Sequence, residues 1–316
     1  MTSLTLVAIV GPTASGKTAL SIQVAQRLNG EIISMDSRQV YRGMDVGTAK
    51  ATLEQRSAVP HYGLDLADPN ERFSAGRFAR FARRCIDEIR RRGHTPILVG
   101  GTGFFLRSLT HPIFDEPPLD PERRARLANW LSNLPEEELR RWLMALDPQL
   151  GSRLRTWGGR QRLLRGVELP LLTGHPLSWW HANAPPTAEP LRPLVIVLDL
   201  PRPRLYRVID DRVSDMARQG LLEEVDGLLA NGYDERSPAM NATGYIELLP
   251  YLRGELPLEE ALHRVRRNTR AYARRQLTWL RHQLPEGAIW LDATRPLAEL
   301  TDEVVRIVQA GLIAES

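Results

Sequence analysis

With a single cysteine, Cys85, in 316 residues, the sequence can build neither an intrachain disulfide framework nor a cysteine-rich zinc site. One free thiol fits a reducing compartment, and the cytoplasm is the expectation. Lysine is almost missing as well: among 42 basic residues only Lys17 and Lys50 are not arginine. The longest early apolar run, Leu4 to Val10, is far short of the ~20 residues a membrane helix needs. It also lacks a basic flank, which argues against a signal peptide or membrane anchor. Neither charge sign dominates, since 42 Lys and Arg against 38 Asp and Glu leave a net charge of +4. What is present is ordinary globular material, 42% hydrophobic and 25% charged, which excludes a disordered or fibrous chain. The length suits roughly two domains of ~100–200 residues.

Arginine bias explains most of the basic residues, but both lysines fall inside the motifs described below. A compact ammonium enters a tight phosphate cradle where a planar guanidinium does not, so both are expected to be functional.

Residues 4–10 read as a buried strand broken at Gly11, followed by a helical stretch to about Leu28. Glu31 to Met35 predicts a second strand. Phe73 to Arg92 has helical spacing through Phe78, Phe81, Cys85 and Ile89. Pro96 to Val99 predicts a strand ending in Gly100-Gly101, and Leu194 to Leu198 another. This alternation predicts an α/β fold, a parallel sheet flanked by helices. A small helical domain is inserted over 116–190, leaving 1–115 and 191–316 as the core. The insertion is bracketed by Pro117, Pro118 and Pro121 on one side and by Pro185, Pro186, Pro190 and Pro193 on the other. Inside it, Pro121–Leu131, Glu136–Leu146 and Arg160–Leu172 read as helices. Five of the seven Trp lie there (130, 142, 157, 179, 180), expected mainly as core, although Arg interleaved with Trp also suits stacking on unpaired bases.

Further on, His263 to His282 carries seven Arg and no acid. Leu262, Val265, Thr269, Tyr272, Gln276 and Trp279 form a neutral stripe with the spacing of a packed helix face. The unbalanced opposite face is expected to meet a polyanion.

Gly11-Pro12-Thr13-Ala14-Ser15-Gly16-Lys17-Thr18 is G-x-x-x-x-G-K-T between a strand and a helix. Its backbone N–H groups would cradle a diphosphate, Lys17 would neutralise charge, and the Thr18 hydroxyl would ligate Mg²⁺. The core is therefore expected to be P-loop NTPase-like. An NTPase also wants an acid at a neighbouring strand end, yet the Ile97 strand ends in glycines. The acid at a strand end is Asp36, which by position suits a general base, a metal ligand or a cap. Thr102, after Gly100-Gly101, has the position of a helix cap.

Beside the loop, the block Asp36-Ser37-Arg38-Gln39 through Gly47-Thr48-Ala49-Lys50 and the segment Pro96 to Gly103 resemble the bacterial tRNA dimethylallyltransferase (tRNA isopentenyltransferase) family. Gln161-Arg162 with Glu168, Asn241 to Tyr245, and Arg274 to Arg281 extend the resemblance over nearly the whole chain. The chain departs from the family pattern at Ala51, at His61-Tyr62 and at Gly158-Gly159. The resemblance implies transfer of a dimethylallyl group from dimethylallyl diphosphate to N6 of adenine 37 of tRNA, beside the anticodon, by a cytoplasmic monomer using Mg²⁺. It implies Asp36 as the base, with Thr102 and Lys17 as further catalytic groups and Arg212 reaching the diphosphate. The stretches it implies for tRNA are Asp36, Ser37, Arg38 and Gln39; Thr102 and Arg123; Gln161, Arg162, Leu163, Leu164 and Arg165; Asn241, Ala242, Thr243, Gly244, Tyr245 and Ile246; and Arg274, Arg275, Gln276, Leu277, Thr278, Trp279, Leu280 and Arg281. A small-molecule kinase, prenyl transfer to a free adenine nucleotide, and an RNA-binding ATPase are the alternative readings.

Overall fold

Strands buried on both faces favour apolar side chains, and four such runs, interrupted by the buried Glu31, Ser34 and Thr95, build the centre of the molecule. The computed structural model describes residues 5–112, 114, 119–154, 159–186 and 188–314. Leu4, Pro117, Pro118, Trp157 and Gly158, named above, lie outside them. The strands are β1 (Val7–Val10), β2 (Gly30–Ser34), β3 (His61–Tyr62), β4 (Thr95–Gly100), β5 (Leu194–Asp199) and β6 (Ile289–Asp292). They form one sheet in the order β3-β2-β4-β1-β5-β6, and every pairing is parallel. Along β1, Val7 and Ile9 face the helices Lys17–Arg27 and Leu297–Ala314, where Leu20, Val24, Val304 and Val308 cover them. Ala8 and Val10 face the other way, towards Phe78, Ile86 and Phe105. The edge strands β3 and β6 went unpredicted because each is short and only partly buried.

The chain divides into two compact units, Met1–His111 with Pro190–Ser316, and Pro112–Glu189. In the second, the described helices Pro121–Ser132, Glu136–Leu146, Pro148–Arg153, Arg160–Thr173 and Leu177–Asn183 surround Leu131, Leu139, Leu143, Leu163 and Val167. Leucine fills this core, not tryptophan. Trp130 and Trp179 are exposed, and Trp142 and Trp180 are half-buried. The buried Glu168 is held by Arg124 at 3.1 Å and Arg165 at 2.9 Å.

Candidate active site

In an open parallel sheet the ligand crevice lies beyond the carboxyl ends of the strands. Here three neighbouring strands, β2, β4 and β1, each end in a loop with distinctive chemistry. After β1 comes the Gly11–Thr18 loop. Gly16 (φ 86°) lies in the left-handed region, which glycine adopts freely, while Ala14 (φ 65°) holds a similar conformation at a cost kept at the site. The helix Lys17–Arg27 starts there with no side-chain cap and no acid in its first turn, so its N–H groups stay open to an anion. Ser15 Oγ is buried without a partner among the described residues, an orphaned polar atom inside the cradle. Lys17 Nζ donates to the Pro12 carbonyl at 2.6 Å.

The loop opens on a cavity of about 340 Å³ that is also lined by Thr18, Asp36, Arg212, Tyr272 and Gln276. Loss of water around Lys17, reinforced by the Arg212 guanidinium and opposed by Asp36, lowers its ammonium to about 7. Burial also lowers Arg212, with Asp36 acting against it. Two cations crowded together in one buried cavity are the electrostatic signature of an anion site. Among the described residues, no group of three or more His, Cys, Asp or Glu could hold a metal ion. The donor set still fits Mg²⁺, which binds through few protein ligands when phosphate oxygens and water supply the rest, and Thr18 provides the hydroxyl.

After β2, Asp36 Oδ1 accepts from the Arg38 N–H at 2.8 Å, its only hydrogen bond among the described residues. After β4, Thr102 stands at the start of the helix Gly103–Thr110, but its side chain does not cap that helix. The hydroxyl oxygen instead accepts from the Ser37 N–H at 3.0 Å, which sets it beside Asp36. The capping alternative is thereby corrected.

The helix Leu258–Gln283 closes the site with the stripe read as packing. Gln276 Oε1 accepts from the Thr13 N–H at 2.8 Å, and its Nε2 donates to the Gly101 carbonyl at 3.1 Å. One buried amide thus braces the phosphate loop against the β4 turn. A Cβ on Gly103 would fall 2.2 Å from the Trp279 ring, so that close approach demands glycine. Burial and the Asp36 charge push the Tyr272 phenol up to about 12, with a hydrogen bond to Thr102 acting against them. Tyr272 is a site residue that sequence reasoning missed. Its signal was a polar side chain one turn before Gln276 on an otherwise packed face.

The sequence-predicted RNA residues divide by exposure. Gln161, Arg162, Asn241, Ile246, Arg274, Arg275, Thr278 and Arg281 are exposed, as is Arg123, whose guanidinium donates to the Leu171 carbonyl. Leu164, Arg165, Thr243 and Trp279 are half-buried. Leu163, Ala242, Gly244, Tyr245, Leu277 and Leu280 are buried, and the Tyr245 hydroxyl donates to Glu224 at 2.5 Å. Gln39 accepts from Ser34 at 2.8 Å and donates to the Thr48 and Ala49 carbonyls, which makes it part of the cavity wall. Of the seven Arg in His263 to His282, three are paired with carboxylates: Arg264 with Glu260, Arg266 with Glu259 and Arg270 with Asp210. The unbalanced charge is therefore smaller than the segment alone implies.

Lys50 is a correction. Its side chain is 1% exposed and bonds Asp45 at 2.5 Å, Asp65 at 2.6 Å and the Tyr41 carbonyl at 2.9 Å. It ties the long block together and does not line the cavity.

A family model described as IPP transferase matches residues 39–283, and one described as isopentenyl transferase matches 4–60. A tRNA dimethylallyltransferase of Geobacter metallireducens is 44% identical over 91% of this chain and 92% of its own length. The crystal structure of a tRNA isopentenylpyrophosphate transferase from Bacillus halodurans superposes with a TM-score of 0.71 at 36% identity, covering 98% of this chain and 97% of that one. A crystallographically characterised eukaryotic dimethylallyltransferase acting on tRNA gives a TM-score of 0.76 at 30% identity, over 91% of this chain and 73% of that one. An uncapped phosphate loop, a strand-end carboxylate and a braced threonine at the carboxyl ends of three neighbouring strands, together with these likenesses along the whole sequence, place the chain in the tRNA dimethylallyltransferase family.

Proposed function

We propose that the chain transfers a dimethylallyl group from dimethylallyl diphosphate to the N6 amine of adenine 37 of tRNA, next to the anticodon. The observation that carries this reading is the pairing of an anion cradle with a lone carboxylate, Asp36 after β2, in one cavity where β4, the strand beside the phosphate-loop strand, ends in glycines and not in an acid. The phosphate loop, Lys17 and Arg212 hold the diphosphate and stabilise the negative charge that grows on it as the C1–O bond breaks. Asp36 accepts the N6 proton as the N6–C1 bond forms, and diphosphate leaves. Thr102, fixed by Ser37, helps hold the amine against the allylic carbon. Magnesium, held by Thr18 and the diphosphate oxygens, would supply further electrostatic stabilisation of the leaving group. The target adenine must leave its stack to reach the cavity, a cost of a few kcal/mol that is smaller in a loop than in a duplex.

The tRNA surface includes the exposed arginines of Leu258–Gln283 and those of the helical unit. The reading is tested by mass analysis after incubation with dimethylallyl diphosphate, tRNA, AMP and ATP. A dimethylallyl mass gain on tRNA alone is expected. Gain on AMP, or hydrolysis of ATP without prenylated RNA, would select one of the alternatives.

A further inference from the structure

Residues 104 and 105 are both phenylalanine, yet they meet opposite fates. Phe105 is buried and stacks on Phe78 at 4.2 Å, inside the core. Phe104 is 58% exposed, more than any other Phe or Trp side chain described. Helical geometry accounts for the split, since consecutive positions point about 100° apart. It does not account for an aromatic ring left in water two residues after Thr102. Phe104 does not line the cavity, so it stands beyond the wall and not within it.

Its setting is basic. Gly103, its neighbour in the chain, receives the Trp279 ring, and Tyr272 lines the cavity with Gly101. Both aromatics belong to the helix that carries Arg274, Arg275 and Arg281, which are exposed and pair with no carboxylate among the described residues. Arg275 lies over the Tyr272 ring at 5.8 Å. An exposed aromatic on a helix packed against an arginine-bearing one, a few residues after the cavity-lining Gly100 and Gly101, is the combination that single-stranded nucleic acid uses: phosphates meet the guanidinium groups and a base meets the ring. We infer that Phe104 is a stacking platform for the RNA base next to the adenine in the cavity, and that it holds the loop open while its neighbour is flipped. This rests on the tRNA reading above.

The test uses an anticodon stem-loop RNA carrying 2-aminopurine on one or the other side of the target adenine. Wild-type protein should quench one of the two labels, as stacking does. Phe104→Leu, apolar but not aromatic, should leave both bright and raise the KM for the stem-loop about tenfold or more, in line with the usual worth of a base–aromatic stack. The KM for dimethylallyl diphosphate should not move, and Phe104→Tyr should restore both quenching and KM. Equal quenching and equal KM for wild type and Phe104→Leu would overturn the platform. Wild-type protein that prenylates no stem-loop at all would instead overturn the tRNA reading.

Discussion

In the cavity without ligand, the Lys17 ammonium has lost its water and faces Arg212, and its titration falls to about 7. A diphosphate reverses both effects, because an anion beside the group favours the charged form. Binding above pH 7 should therefore take up a proton. Affinity should fall as pH rises from about 7 towards the ordinary 10.5, by up to tenfold per pH unit. Calorimetry in buffers of different ionisation heat reads the proton directly, and Lys17→Met separates it from titration of the ligand itself. Heats independent of buffer in wild type would exclude this coupling. Lys17→Arg should lose about 10²–10³ in transfer rate, because the wider group does not enter the loop. For Asp36, the Asn variant keeps the size and the acceptor for the Arg38 N–H but takes no proton. Turnover should fall by roughly 10²–10⁴ while tRNA affinity stays within a few-fold. If the acidic limb of the wild-type pH–rate profile persists in Asp36→Asn, the base lies elsewhere.

At the scale of elements, Leu258–Gln283 has two faces with separate duties. The inner face carries Tyr272, Gln276 and Trp279 to the loops after β1 and β4. The outer face keeps Arg267, Arg274, Arg275 and Arg281 exposed. Phosphate contacts release counterions, so replacing Arg274 with Gln should lower the slope of log K against log salt for tRNA by about 0.7–0.9. Affinity for dimethylallyl diphosphate should be unchanged. Slopes that coincide for wild type and Arg274→Gln would leave this face as solvated surface and move tRNA binding to the helical unit.

Across the whole molecule, what was legible follows from how local the physics is. β1, β2, β4 and β5 show in the sequence because burial on both faces favours apolar runs. β3, two residues long, and the half-exposed β6 leave no such trace. The phosphate loop, Asp36 and Thr102 sit in contiguous motifs and can be read directly. Gln276 cannot, because its two partners lie 263 and 175 positions away, and nothing near it in sequence announces them. The same distance effect hid the role of Lys50, whose carboxylates matter only once residues 45 and 65 meet. It also inflated the charge of the arginine-rich segment, since Asp210 neutralises Arg270 from another helix.

The scarcity of lysine has a chemical consequence. Acylating reagents attack neutral amines, and this sequence offers two lysine side chains. Lys50 is sealed between Asp45 and Asp65, whereas Lys17 opens on the cavity and its ammonium is lowered by burial to about 7. A dilute amine-reactive probe at neutral pH should therefore tag Lys17 ahead of Lys50 and extinguish transfer in proportion to the mass gained at the Lys17 peptide. Inorganic diphosphate should shield the site by restoring the proton. The Lys17 amine would then serve as an occupancy gauge of the cavity, read by peptide mass mapping without a mutation or an engineered handle; faster tagging of Lys50, or tagging indifferent to diphosphate, would refute it.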